Sequence, residues 1–302
     1  MNPSVYVVLP VFNRLEETKK FVSCMQRQLY PNFQVVICDD GSTDGTGEYL
    51  KSLGGNIVVV EGTGDLWWAG GINRCIEYVL DHATDDALVI TINNDVELEA
   101  DYISQKVNRS FEYSDAVIGS LCVYQSDHDI IETSGLVMNF TTCSAKSLVA
   151  LGTKRSGLDY SGCIPVTHLP GKGVLVPLKV YKQIGIYDAE QLPHYHADTD
   201  FTLRAYERGY AVLVDFDSIV YSDVNRGNLI SGQDITLSSV LNTFEEKRGV
   251  NDFSAYRAFA RKHFGQRAWQ FLLVSYAKIF LGLSRRYFIS KIDVFRFARG
   301  AG

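Results

Sequence analysis

No Cys-x-x-Cys pair occurs among the six cysteines, Cys24, Cys38, Cys75, Cys122, Cys143 and Cys163, and several of them sit in apolar runs. That pattern favours buried free thiols over disulfides and a reducing compartment. No Gly-x-x-x-x-Gly-Lys-Ser/Thr stretch is present, which removes the phosphate-loop NTPases. No basic segment followed by an apolar one precedes the first strand, so no signal peptide is expected. There is no internal repeat and no low-complexity tract. No stretch is long and pure enough for a membrane span: Trp269 to Leu283 is apolar, but Gln270, Ser275 and Lys278 interrupt it. Positive charge is scarce through residues 1–246, with 17 Lys and Arg against 33 Asp and Glu, and nucleic acid is therefore not an expected partner.

What is present is 302 residues, 46% hydrophobic and 21% charged, enough for one large domain or two modest ones with a full core. The missing positive charge is concentrated at the end. Residues 247–302 hold 12 Lys and Arg against 2 Asp and Glu, a balance of +10 against −16 for the rest. Aromatic and basic residues interleave there, at Arg285, Arg286, Tyr287, Phe288, Lys291, Phe295, Arg296, Phe297 and Arg299. Such a segment suits peripheral contact with an anionic membrane through residues 269–299, or packing on protein.

Apolar, β-branched runs at Val5 to Val11, Phe33 to Cys38, Ile57 to Val60 and Ala87 to Ile92 predict four buried strands. Helical spacing fills the intervals, over Glu16 to Leu29 (Phe21, Met25 and Leu29 on one stripe), Thr43 to Leu53 and Gly70 to Leu80. The alternation predicts an α/β fold: a mostly parallel central sheet with helices on both faces. Further strands are expected at Val117 to Tyr124 and Val212 to Tyr221, a helix after Tyr195, and helices over 236–302. The division expected is a catalytic domain over 1–230, with a nucleotide-binding half (1–100) and an acceptor-binding half (101–230), then a basic helical extension over 231–302.

In open parallel sheets ligands collect at the carboxyl ends of the strands. Here those ends carry Asn13-Arg14, Asp39-Asp40-Gly41-Ser42 and Asn93-Asn94-Asp95. A carboxylate at such a place can accept the imide N–H of a pyrimidine or bond a ribose hydroxyl; Asp-Gly-Ser is equally an ordinary turn. Asp95 can hold a hard divalent cation together with donor phosphates. Further along, Asp198 and Asp200 flank Thr199 ahead of a helical stripe. One can be a general base, and the other can cap the helix or pair with Arg204. His194 and His196 share that loop as metal or sugar ligands, or as neither. Trp67 and Trp68 precede Gly70-Gly71-Ile72-Asn73: an exposed indole is a platform for a sugar, and glycine permits close approach of backbone to ligand.

Taken in order, these residues resemble the GT-A glycosyltransferases of family 2, over about residues 4–225. The resemblance rests on Pro10 to Arg14, Asp39 to Thr46, Gly70 to Asn73, Asn93-Asn94-Asp95 in place of Asp-x-Asp, Gly171-Lys172-Gly173, Gly185 to Asp188, and Ala197-Asp198-Thr199-Asp200 in place of Glu-Asp-x-Asp. It implies a GT-A fold. It implies donor-nucleotide contacts from Pro10, Asn13, Arg14, Asp39 (base), Asp40 (near the ribose), Gly70, Asn73 and Asn94. Asp95 would hold Mg²⁺ or Mn²⁺, completed by Asp223 or a histidine. Asp198 would be the catalytic base. Trp67, Trp68, Gly171, Lys172, Gly173, His194, His196 and Asp200 would contact acceptor or sugar. Ala197 departs from the family's glutamate, and His194 or His196 would stand in for it.

The expected function is inverting transfer of a sugar from a UDP- or dTDP-linked donor to a hydroxyl of a glycan or lipid-linked acceptor in bacterial surface polysaccharide synthesis. The Asn-Asn-Asp variant is similar to that of bacterial rhamnosyltransferases. The expected place is cytoplasmic, at the inner face of the membrane, and a homo-oligomer is compatible with the sequence. The competing expectations are a non-catalytic carbohydrate-binding relic of the family and a sugar-1-phosphate nucleotidyltransferase. The latter lacks its glycine-rich basic N-terminal loop here.

Overall fold

The computed structural model describes residues 2–223 and 252–299, and they divide into two compact units. The first unit comprises residues 1–137 and 146–223. It is built on strands β1 (Val5–Val11), β2 (Phe33–Asp39), β3 (Ile57–Glu61), β4 (Leu88–Thr91), β5 (Val96–Glu97), β6 (Val117–Tyr124), β7 (Asp127–Thr133), β10 (Cys163–Pro165), β11 (Val174–Pro177) and β12 (Val212–Ser222). Its helices are α1 (Leu15–Gln26), α2 (Thr46–Ser52), α3 (Trp67–His82), α4 (Tyr102–Glu112), α5 (Leu178–Ile184) and α6 (Ala197–Glu207). A short hairpin, β8 (Leu136–Asn139) with β9 (Ser144–Ser147), completes the list of strands.

The sheet runs β10-β12-β6-β11-β4-β1-β2-β3. The β4-β1-β2-β3 half is parallel, as the strand–helix alternation demands. Val5, Val7, Val8 and Leu9 of β1 are wholly or almost wholly buried, because helices cover both faces. Beyond β4 the direction changes: β11 runs antiparallel to β4 and to β6, and β12 then runs parallel to β6. Core side chains of α1 (Phe21, Val22, Met25) and α4 (Tyr102, Ile103, Val107) pack with β1 and β2. Helix limits differ from the periodicity by up to three residues: α2, expected from Thr43, begins at Thr46, after Gly45 at φ 93°. α1 stops at Gln26, and Leu29 is exposed because the chain has already turned to donate its N–H to Ala100. α3 begins at Trp67, three residues early, so the tryptophans lie in its first turn. All six cysteines are free thiols, five of them buried.

The second unit contains α7 (Phe253–Phe264), α8 (Ala268–Arg299) and the hairpin tip at residues 138–145. Arg267 donates to the carbonyls of Phe140 (3.1 Å) and Thr141 (2.5 Å), and Phe140 packs on Phe264. Among the described residues no helix is long and apolar enough to cross a membrane. The expected helical segment over 236–251 lies outside the described residues.

Candidate active site

The carboxyl ends of β1, β2 and β4 adjoin one another, and the turns that leave them are laced by side chains. Asn13, at φ 51°, donates its N–H to Ser42 Oγ (3.0 Å) and accepts from Thr43 N–H on Oδ1 (2.7 Å). Asp44 accepts from Leu15 N–H, at the first turn of α1, and from Thr46 on its own helix. Asp40 is buried and accepts three backbone N–H groups, from Gly64 (2.8 Å), Leu66 (2.9 Å) and Trp67 (3.3 Å). Asp39 is half-buried and accepts from Ser42 N–H (3.1 Å). Of the expected donor contacts, Asp39 is thus the more open carboxylate, and Asp40 shapes the loop over residues 62–67.

Other expected donor residues also bond the protein itself. Asn73 is buried and makes a reciprocal pair with the Tyr187 backbone, 2.8 and 2.9 Å. Asn94 is buried and donates to Thr18 Oγ1 (3.0 Å) on α1. Gly70 and Gly71 are buried in α3, and a Cβ on Gly71 would stand 2.6 Å from Pro10 Cβ. Glycine therefore lets α3 lie against the end of β1.

Asp95 follows β4. Its Oδ2 pairs with the Arg14 guanidinium at 3.2 Å, and its Oδ1 is buried with no hydrogen-bond partner. Its carbonyl accepts from Asp223 N–H (2.9 Å), which brings the residue after β12 to the same spot. Among the described residues no group of three His, Cys, Asp or Glu is gathered to hold a metal. The orphaned carboxylate oxygen fits a hard cation that takes one protein oxygen and completes its shell from diphosphate and water.

Asp198 lies in the first turn of α6. Its Oδ2 accepts Gly171 N–H and its Oδ1 accepts Thr199 N–H, both at 2.7 Å. Burial raises its carboxyl above the ordinary value of 3.8; the two amides and the charge of Lys172 oppose that rise without cancelling it. A Cβ on Gly171 would stand 2.7 Å from the Trp68 indole and 3.2 Å from Asp198 Cβ, so glycine is what allows indole and carboxylate to close on this turn. The same indole donates to Asn93 Oδ1 (2.9 Å), beside Asp95.

Lys172 donates to Glu132 Oε1 (2.7 Å) and to Ser222 Oγ (3.0 Å). Burial pulls its ammonium down, but Glu132, Cys122 and Asp95 more than offset this and its pKa stands above the lysine norm. Gly173 follows at φ 73°, with its N–H on the Thr91 carbonyl of β4. His194 lies edge-on to Trp67, ring centroids 6.0 Å apart. Burial, then the Arg14 charge, lowers the pKa of its imidazole. Trp67 is 39% exposed. His196, at φ 69°, starts α6.

Asp200 is fully buried and pairs with Arg204 (3.0 Å), which also bonds the carbonyls of Ile184 and Ile186. It acts from below the rim, through Arg204. Glu132 is the site residue that sequence reasoning missed. It sits on β7 in an antiparallel excursion, and nothing in its sequence neighbourhood distinguishes it from a surface glutamate.

Comparison with known proteins supplies the family. Residues 6–163 match the model of Glycosyl transferase family 2. An uncharacterized glycosyltransferase of Rickettsia typhi is 21% identical over 247 residues, spanning 81% of this chain and 69% of that protein. Among solved structures, GalNAc-T7 with UDP, GalNAc and Mn²⁺ superposes with a TM-score of 0.58 at 12% identity, covering 91% of this chain and 57% of that one. A mannosyltransferase from Pyrobaculum calidifontis in complex with GDP-Man and Mn²⁺ gives 0.51 at 16% identity, covering 100% and 76%. At these identities the structural likeness establishes the GT-A fold.

Proposed function

This chain belongs to glycosyl transferase family 2, and on that premise we propose that it moves a sugar from a UDP- or dTDP-linked donor, with inversion, to a hydroxyl of a glycan or lipid-linked acceptor. The observation that carries this reading is Asp198: a half-buried carboxylate, raised in pKa and fixed by Gly171 N–H, on a turn that closes against the Trp68 indole, which in turn bonds Asn93 two residues before Asp95. A base must be ionised yet still basic, and a desolvated carboxylate satisfies both conditions.

The acceptor O–H gives its proton to Asp198. Its oxygen attacks the anomeric carbon from the face opposite the diphosphate, a C–O bond forms, and the bond to diphosphate breaks with the electron pair leaving on phosphate. Two amides hold the Asp198 carboxylate, so it is pre-oriented and little reorganisation is needed during attack. Asp39 faces the nucleotide base. Asp40, Asn13, Asn73 and Asn94 hold the walls of the nucleotide pocket, with Pro10, Gly70 and Arg14 beside the donor. Asp95 would hold Mg²⁺ or Mn²⁺; the cation, when bound, neutralises charge on the departing diphosphate. The Mn²⁺ in the two solved transferases supports that choice. Trp67, Trp68, His194 and His196 line the acceptor approach.

The acidic body and basic end support a setting at the inner face of the cytoplasmic membrane, with surface polysaccharide as product and residues 269–299 as the membrane contact. The domain division we propose is 1–230 catalytic and 231–302 as that extension. Thermal shift against a panel of UDP-, dTDP- and GDP-sugars, with and without Mn²⁺, tests the donor: the correct one raises the melting temperature by mass action, and more so with metal. A panel that moves nothing rejects the reading.

A further inference from the structure

Glu132 and Lys172 are the partially buried pair that the mechanism above does not use. Their side chains are 15% and 17% exposed. One carboxylate oxygen of Glu132 accepts from Lys172; the other, Oε2, is buried with no hydrogen-bond partner. Lys172 has three N–H bonds, and two are engaged, by Glu132 Oε1 and Ser222 Oγ. An unengaged acceptor and an unengaged donor therefore belong to one ion pair. A buried carboxylate oxygen left unpaired is costly, so a native structure that keeps one invites a partner from outside the chain.

The place narrows the partner. Lys172 follows Gly171, whose N–H holds Asp198, and precedes Gly173, whose N–H is on β4 just ahead of Asp95. Ser222, its other acceptor, precedes Asp223, whose N–H is on the Asp95 carbonyl. Lys172 is thus near both the base and the metal-site carboxylate, and its charge acts on each, which places the pair beside the reacting centre. A hydroxyl both gives and accepts a hydrogen bond. It can donate to Glu132 Oε2 and accept from the third N–H of Lys172, which an apolar group and a phosphate dianion cannot do; an ordered water makes the same two bonds, and a sugar hydroxyl takes them over by displacing it.

We propose that Glu132 and Lys172 form a two-point clamp for one sugar hydroxyl beside the reacting centre, on the donor sugar or on the acceptor. The clamp rests on the transferase reading and adds to it a specificity residue, Glu132, on β7. A site built to bond a hydroxyl strongly rejects the analogue that lacks it, so the clamp selects among sugars.

The test uses the full chain and the nucleotide sugar that raises its melting temperature in the panel. Affinities of that nucleotide sugar and of its free nucleoside diphosphate are measured by calorimetry, and acceptor KM by steady-state transfer, for wild type, Glu132→Gln and Glu132→Asp. The free nucleoside diphosphate should bind all three alike. If the hydroxyl is the donor's, Glu132→Gln weakens the nucleotide sugar by about 10- to 100-fold, the range for a hydrogen bond to a charged group. If it is the acceptor's, acceptor KM rises by a similar factor and donor affinity holds. Glu132→Asp keeps the charge beside Lys172 but withdraws the oxygen, and should show the same selective loss with an unchanged melting temperature. Sugar affinities within twofold of wild type in both variants overturn the clamp while the transferase stands. Equal loss for nucleoside diphosphate and nucleotide sugar also overturns it, since that marks a purely structural role. A panel without any stabilising donor overturns the transferase reading first, and the clamp with it.

Discussion

The polar side chains of the site fall into two sets that differ in how they are bonded. In one set, Asn13, Asp40, Asn73 and Asn94 are bonded to the protein's own backbone or side chains. In the other set, Asp95 and Glu132 each keep a buried oxygen with no partner, and Asp198 is held by two amides while burial raises its pKa. The first arrangement is a frame. Its side chains convert glycine-rich turns into a fixed rim, and a rim that does not move spares the ligand the entropy of ordering it. The second arrangement keeps hydrogen-bonding capacity in reserve where charge must change during reaction. Motif residues thus fall into two kinds, and hydrogen-bond partners sort them where sequence position cannot.

Replacing the base should give the largest effect. Asp198→Asn is expected to lower kcat by about 10²- to 10⁴-fold, the usual contribution of general base catalysis, with donor affinity retained. Because its folded pKa is raised, the stability Asp198 contributes is full below its unfolded pKa and is lost as pH rises through the folded one. At neutral pH the desolvated charge therefore opposes folding, and Asp198→Asn should melt no lower than wild type. Undiminished turnover, or a lowered melting point that accounts for the loss, would break the contrast between frame and reacting groups.

On the frame side the expected pattern is inverted. Asp40→Ala leaves three buried or half-buried N–H groups without their acceptor, and should cost about 3 kcal/mol of stability by the ordinary penalty for orphaned donors. In a domain of this size that lowers the melting temperature by roughly 6–12 °C. Per folded molecule, kcat should fall far less than in Asp198→Asn. Equal melting temperatures for Asp40→Ala and wild type would show that the frame is not where stability resides.

A smaller, sharper effect concerns pH. The acid limb of kcat should lie above the ordinary carboxylate range, since the base must be ionised and burial raises its pKa. The Lys172 charge opposes that rise, so Lys172→Met should move the limb to higher pH. A limb that stays fixed would assign Lys172 to hydroxyl binding alone.

The frame was the more legible side from sequence. Strand ends announce themselves where β-branched runs meet Asn, Asp and Gly, so Asn13, Asp39, Asp40 and Asp95 could be placed on one edge of a sheet from spacing alone. The parallel half follows from that alternation too. What spacing does not encode is which oxygen of a carboxylate is already engaged: Asp39 and Asp40 are adjacent letters, yet one holds three backbone amides and the other one. Nor does it encode contacts that depend on long-range register. Glu132 meets Lys172, 40 residues away, because β7 folds back on β6 while Gly171 closes against Trp68. Asp200 illustrates the converse. Its pairing with Arg204 is a local four-residue relation and was readable; its complete burial was not.

The least costly contact to break is the one between Arg14 and Asp95, which follow the neighbouring strands β1 and β4. The guanidinium is 50% exposed and 3.2 Å from Asp95 Oδ2, so as an ion pair it is worth at most about 1 kcal/mol. Its position matters more than its strength, because it occupies the oxygen beside the one that would meet a cation. Without nucleotide, a divalent ion must approach a carboxylate already half neutralised. With diphosphate present, Arg14 has a better anion to join and Asp95 is released. Arg14→Gln should therefore bind Mn²⁺ alone about three- to fivefold more tightly than wild type, the factor that corresponds to roughly 1 kcal/mol or somewhat less. In the presence of UDP the advantage should vanish or reverse, since the variant has lost a phosphate contact. Mn²⁺ titration followed by electron paramagnetic resonance reads free ion directly and needs no turnover. Unchanged affinity for Mn²⁺ alone would place Arg14 with the rest of the frame, as a residue that bonds the protein and leaves the ligand to others.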